Sequence, residues 1–95
     1  MKSIMQIKKE CFECRTYSNL EEHHIFFGSA NRKLSEQDGL KVWLCYNHHR
    51  GTNGVHGKNG HTLDEYLKSI AQITYMQKNN KTKEDFIKRY GKSYI

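Results

Sequence analysis

Three short clusters hold most of the metal-binding chemistry of this 95-residue chain: Cys11-Phe-Glu-Cys14, His23-His24 and Cys45-Tyr-Asn-His48-His49. A Cys-x2-Cys pair followed at a distance by a Cys-x2-His pair supplies two donors from each of two tight knuckles, the ligand set and spacing of a closed tetrahedral zinc site. That set takes all three cysteines, Cys11, Cys14 and Cys45, with His48 as fourth ligand, although His49 follows Cys45 closely enough to take the same place. His23, His24, His49 and His56 are then left to explain, and the first three lie beside or between the knuckles. Histidines grouped in this way can bind a metal in an open site or carry protons near neutral pH. His61 is taken as a structural or surface side chain, the commoner fate of a lone histidine.

Length and composition limit what can hold these groups. Residues 1–95, 36% hydrophobic, make a single domain, with a core small enough for a structural metal to contribute substantially to folding. The odd cysteine count, with no apolar leader after Met1-Lys2-Ser3, leads us to expect free thiols in a reducing, cytoplasmic compartment rather than a secreted disulfide framework. No apolar run approaches the roughly 20 residues of a membrane span, so no membrane partner is expected. The net charge of +6 favours a polyanionic partner, and without a basic amphipathic helix of membrane type nucleic acid is the better fit. The competing explanation is an ordinary solvated, lysine-rich surface.

The elements that would position the clusters are marked by glycine, because the chain has no proline. Ile4 to Lys9 suggests a short leading strand, and Cys11 to Cys14 the first knuckle. His24-Ile25-Phe26-Phe27, β-branched and aromatic and ended by Gly28, predicts a strand, with Leu40 to Leu44 as its partner. Asn31 to Gln37, carrying Arg32 and Lys33, is either a short helix or an irregular loop. A short helix is expected over Tyr46 to Arg50, followed by a glycine-broken loop. Thr62-Leu-Asp-Glu65 reads as a capping box opening a helix of about four turns, with Leu63, Tyr66, Leu67, Ile70, Ile73 and Met76 on one stripe. Thr82-Lys-Glu-Asp85 reads as a second box, before Phe86, Ile87 and Tyr90 and a stop at Gly91. Tyr66, Tyr75 and Tyr90 are assigned to core packing. The fold class expected is α+β, ending in a helical hairpin.

The ordered combination of a Cys-x2-Cys knuckle, a His-His dyad opening a β-strand, and a second strand leading into Cys-x2-His-His resembles the zinc-stapled HNH endonucleases of the ββα-metal (His-Me finger) superfamily. The strings His23-His24-Ile25-Phe26-Phe27-Gly28, Ala30-Asn31-Arg32-Lys33 and Leu44-Cys45 to Arg50 are similar to small HNH-type proteins of bacteriophages and prophages. The resemblance covers residues 11–60 and implies a ββα-metal core with a treble-clef-like zinc knuckle, followed by the C-terminal helices over residues 62–91. It maps a catalytic-metal ligand to His23, the general base to His24, and the other metal ligands to His49 and His56, with His61 in reserve. Arg32, Lys33, Arg50 and Lys58 flank this set and are the candidates for DNA phosphate contacts.

Two positions depart from the family pattern. An asparagine that orients the base usually stands just before the second strand, where this chain has Asp38, Gly39 and Leu40, leaving Asn31 as a substitute. The last two ligands usually sit one turn apart on a helix, whereas His49 and His56 are separated by glycines. Adjacent strand residues also point to opposite faces, so His23 and His24 can share a site only where the strand begins or is distorted.

Phosphodiester hydrolysis needs an activated water, neutralised phosphoryl charge and a stabilised leaving oxygen, which a neutral imidazole and a divalent metal supply together. The implied cofactors are a structural Zn2+ and one catalytic cation, Mg2+, Mn2+ or Ni2+. The implied activity is metal-dependent DNA hydrolysis leaving 5′-phosphate and 3′-hydroxyl ends, with nicking by a monomer, or double-strand breaks by a homodimer, in a bacterial host's cytoplasm. The alternative is a non-catalytic zinc-binding phage protein that binds DNA or intercepts a host protein.

Overall fold

The computed structural model describes residues 1–95. Two strands, β1 (Leu20–His24) and β2 (Lys41–Cys45), pair antiparallel with Leu20 opposite Cys45 and His24 opposite Lys41. The connection between them is a helix, α1 (Ser29–Asp38), which decides between the two readings of that stretch. It stops at Gly39, whose left-handed φ of 71° would strain any side chain, and whose bare Cα lets the Lys2 carbonyl pack against it. A short helix, α2 (Tyr46–His49), follows β2 without a break, then the 51–60 loop, α3 (His61–Asn79) and α4 (Lys83–Tyr90). The chain is thus a small α+β protein with a two-stranded sheet and four helices.

The first strand lies earlier than the expected His24 to Phe27. Ile25 still donates its N–H to the Leu40 carbonyl at 3.0 Å, but at Phe26 the Ser35 hydroxyl of α1 accepts from the backbone N–H (3.0 Å) and donates to the carbonyl (2.9 Å), ending the pairing before Gly28, at φ 93°, turns the chain into α1. The apolar run Ile25-Phe26 fills the core instead, fully buried. Ile4 to Lys9 is not a strand either. The Ser3 hydroxyl accepts the N–H groups of Met5 and Gln6 and curls the backbone, and the outer edge of β2 is met by the Gln6 side chain, which accepts from Trp43 N–H at 2.8 Å.

Phe26 joins the two halves of the molecule. Its ring packs against Phe86 (5.4 Å between centroids) and Tyr90 (4.6 Å) of α4, while Tyr75 of α3 meets Phe86 edge-on at 5.9 Å. Burying a phenylalanine side chain of this kind contributes about 1.5–3 kcal/mol. The α4 capping box forms, with Thr82 Oγ1 accepting from Asp85 N and Asp85 Oδ2 accepting from Thr82 N, and Gly91 closes the helix. The α3 box does not: the helix begins two residues sooner than a Thr62 cap would allow, at His61, with Gly60 at the cap and Thr62 already inside. Its buried face is Leu67, Ala71, Gln72 and Tyr75, so Tyr66 and Ile73 are exposed rather than in the expected stripe. Arg89 holds Asp38 with two hydrogen bonds, at 2.7 and 2.9 Å, tying α4 to the end of α1. No helix is long and apolar enough to cross a membrane.

Candidate metal centres

The two knuckles meet beside the sheet. The donor atoms of Cys11, Cys14, Cys45 and His48 all lie within 4.8 Å of one another. Cys14 Sγ is 3.8 Å from Cys45 Sγ, and His48 Nδ1 is 3.6 Å from Cys11 Sγ and 3.3 Å from Cys45 Sγ. A tetrahedron with metal–sulfur bonds of about 2.3 Å and a metal–nitrogen bond of about 2.0 Å has edges of about 3.8 Å between sulfurs and about 3.5 Å from sulfur to nitrogen. The three short separations match such edges, and the cluster can hold a structural metal ion. Burial pushes the Cys11 thiol up, but backbone hydrogen bonds at Cys14, Cys45 and Glu13 pull it down overall to about 6, favouring the thiolate form that binds metals.

His49 takes no part in that cluster. Its Nδ1 lies 2.6 Å from Glu21 Oε1, and its ring stands 5.1 Å from His23 and 4.9 Å from His56 between centroids. Period-two alternation puts Glu21 and His23 on the same face of β1, against His49 at the end of α2. His56 arrives from the 51–60 loop, which closes as successive three-residue turns: Gly54, Gly57 and Gly60 donate to the carbonyls of Gly51, Gly54 and Gly57. His56 N–H bonds the His49 carbonyl at 2.9 Å, which brings the ring back to α2. A Cβ on Gly57 would collide with the Gly51 carbonyl oxygen, so this curl requires glycine there.

Ligand nitrogens of His23, His49 and His56 lie within 4.8 Å of one another. His23 is 2% exposed, and its Nε2 is buried without a hydrogen-bond partner. Such an orphan costs about 1–3 kcal/mol unless something satisfies it. Burial first, and then the charges of His49 and His56, push His23 down to about 3. His56 is lowered by the same causes, burial first, with Asp64 opposing. Both are therefore neutral near pH 7, the form in which imidazole binds metal. The Glu21–His49 contact is the carboxylate–histidine pairing that fixes a ligand ring and leaves its other nitrogen free.

His24 faces the other side of β1, yet β1 ends there, and His24 lines the same cleft of about 210 Å³ as His23, His49 and His56. Its Nε2 lies 2.8 Å from Glu36 Oε1. Arg32 and Arg50 also line this cleft, and Lys33 lines the adjoining hollow with His24, Arg32 and Glu36. Lys58 is exposed in the loop and lines neither, and His61, exposed at the start of α3, is outside the triad. Asn31 does not reach the dyad: its Nδ2 bonds the Tyr90 carbonyl at 3.4 Å.

Glu21 and Glu36 were not among the residues singled out from sequence. The signal for Glu21 was available, since it stands two residues before His23 on a strand; nothing local marks Glu36. Comparison of the chain with protein-family models, curated proteins and solved structures finds no match.

Proposed function

We propose that this protein is a zinc-stapled endonuclease of the HNH type that hydrolyses DNA phosphodiester bonds, with β1, β2 and α2 as its ββα-metal core. The observation that carries the reading is the convergence of three histidines, one with an orphaned buried nitrogen, on a cleft also lined by His24 and two arginines. On this reading Cys11, Cys14, Cys45 and His48 hold Zn2+, and His23, His49 and His56 would hold one divalent cation. Bound there, such a cation supplies neutralisation of phosphoryl charge and of the departing 3′ oxygen.

The protein's own groups do the rest. His24 accepts a proton from water as the water oxygen bonds to phosphorus; the bond from phosphorus to the 3′ oxygen breaks, with its electron pair leaving on that oxygen, which takes a proton from a solvent water, while His24 returns its own proton to solvent. The products carry 5′-phosphate and 3′-hydroxyl ends. Arg32 and Arg50 hold phosphate oxygens along the cleft, Lys33 extends that contact, and the net charge of +6 makes binding salt-sensitive and weakly sequence-selective. One site per chain means that a monomer nicks.

The test is incubation of supercoiled, linear and single-stranded DNA with magnesium, manganese, nickel or zinc at low salt. Nicked plasmid appearing first and abolished by chelation is the expected result. DNA binding with no cleavage under any metal would favour a non-catalytic zinc protein.

A further inference from the structure

We infer that Glu36 is the positioning residue of His24, fixing its ring so that Nδ1 is the nitrogen available to take a proton. The inference rests on the proposed role of His24 as base and adds a residue from α1 to it. Glu36 Oε1 lies 2.8 Å from His24 Nε2 and 3.0 Å from Lys41 Nζ; Oε2 lies 3.0 Å from the same Nζ and 2.8 Å from the Met1 amino group. Lys41 is the register partner of His24 across the sheet, so the pairing of β1 with β2 sets the ammonium beside the imidazole, and α1 brings the Glu36 carboxylate to both.

This surrounding decides the chemistry of the contact. A carboxylate facing an ammonium and an amino group stays ionised, and an ionised carboxylate can only accept hydrogen bonds. The hydrogen between Glu36 and His24 therefore belongs to Nε2, and the neutral ring carries its lone pair on Nδ1. When Nδ1 takes a proton, the imidazolium already has a carboxylate on its far side, an arrangement that orients a histidine base and stabilises its charged form. Glu22, His24 and Glu36 also group closely enough to suggest a cation site, but Lys41 Nζ, 3.5 Å from Glu22 and 3.0 Å from Glu36, already provides the positive charge there. The role fits a gap in the chain, because neither residues 38–40 nor Asn31 offers a side chain to orient His24.

The experiment is 15N–1H correlation of the imidazole nitrogens in zinc-loaded protein, with plasmid-nicking kinetics on the same samples, for wild type, Glu36→Ala and Glu36→Gln. The wild-type His24 should show protonated Nε2 and bare Nδ1. Glu36→Ala should lose that single tautomer and lower kcat about 10- to 100-fold with KM for DNA nearly unchanged, and Glu36→Gln, which keeps an acceptor oxygen, should recover part of both. An Nδ1–H tautomer in the wild type, or a tautomer and kcat unmoved by Glu36→Ala, would overturn the inference. The spectrum is read without substrate, so a wild type that cleaves nothing contradicts the proposed function while the tautomer still decides what Glu36 does.

Discussion

Replacing Cys14 by serine removes one of the four clustered donors at an exposed position, so a large effect on stability has to come through the metal. Closing the chain between Cys11 and Cys45 costs about 4 kcal/mol of conformational entropy. That alone approaches the lower end of the 5–15 kcal/mol net stability typical of whole domains, at about 5 kcal/mol. Structural zinc in small domains contributes about 10–16 kcal/mol at neutral pH, more than a core of 13 buried apolar residues leaves in surplus. Zinc-free Cys14→Ser protein should accordingly give no cooperative transition by calorimetry or circular dichroism, and chelation should abolish the wild-type melt. His49→Ala should retain zinc at wild-type stoichiometry, because His49 bonds Glu21 and His48 faces the sulfurs. A zinc-free Cys14→Ser protein that melts cooperatively within a few degrees of wild type would refute the reasoning.

Three further perturbations separate the parts of the molecule. Glu21→Ala removes the carboxylate on His49 Nδ1 and should weaken manganese binding at the triad about 10- to 100-fold while leaving zinc in place, as read by calorimetric titration; unchanged affinity would remove Glu21 from the site. Gly57→Ala forces the 51–60 loop off the Gly51 carbonyl and should displace His56, lowering manganese affinity and costing about 1–3 kcal/mol of stability, and a variant indistinguishable from wild type in both would show that the loop does not position the ligand. Burial, and then the hydrogen bond to Asp38, raise the Tyr90 phenol above its ordinary value. Its contribution to stability is therefore full below the unfolded value of about 10 and is lost as pH rises through the folded one. Melts above pH 10 should fall more steeply for wild type than for Tyr90→Phe, and parallel slopes would contradict this.

What could be read from the sequence depended on how local its cause was. The cluster of three cysteines and one histidine was legible because each knuckle is set by a three-residue spacing, and the structure adds only that His48, not His49, faces the sulfurs. The α4 box was legible for the same reason, whereas Thr62 misled because α3 starts two residues earlier, with Gly60 at its cap. Ile25 and Phe26 looked like a strand because core burial and strand pairing favour the same side chains, and what takes Phe26 out of the pairing is the Ser35 hydroxyl from α1, a tertiary partner. The partners of the dyad are tertiary. Glu36 reaches His24 because a helix fills the connection between the strands, and His56 reaches His49 because glycines let a loop curl back upon α2.

Nicking rate titrated against manganese, for wild type, His23→Ala and His24→Ala, tests the central claim most directly. If His23 holds the cation and His24 takes the proton, His24→Ala lowers turnover about 10²- to 10⁴-fold with its manganese midpoint near that of wild type, whereas His23→Ala moves the midpoint to higher concentration. A wild type with no metal-dependent cleavage, or a His24→Ala midpoint shifted as far as that of His23→Ala, would contradict the account.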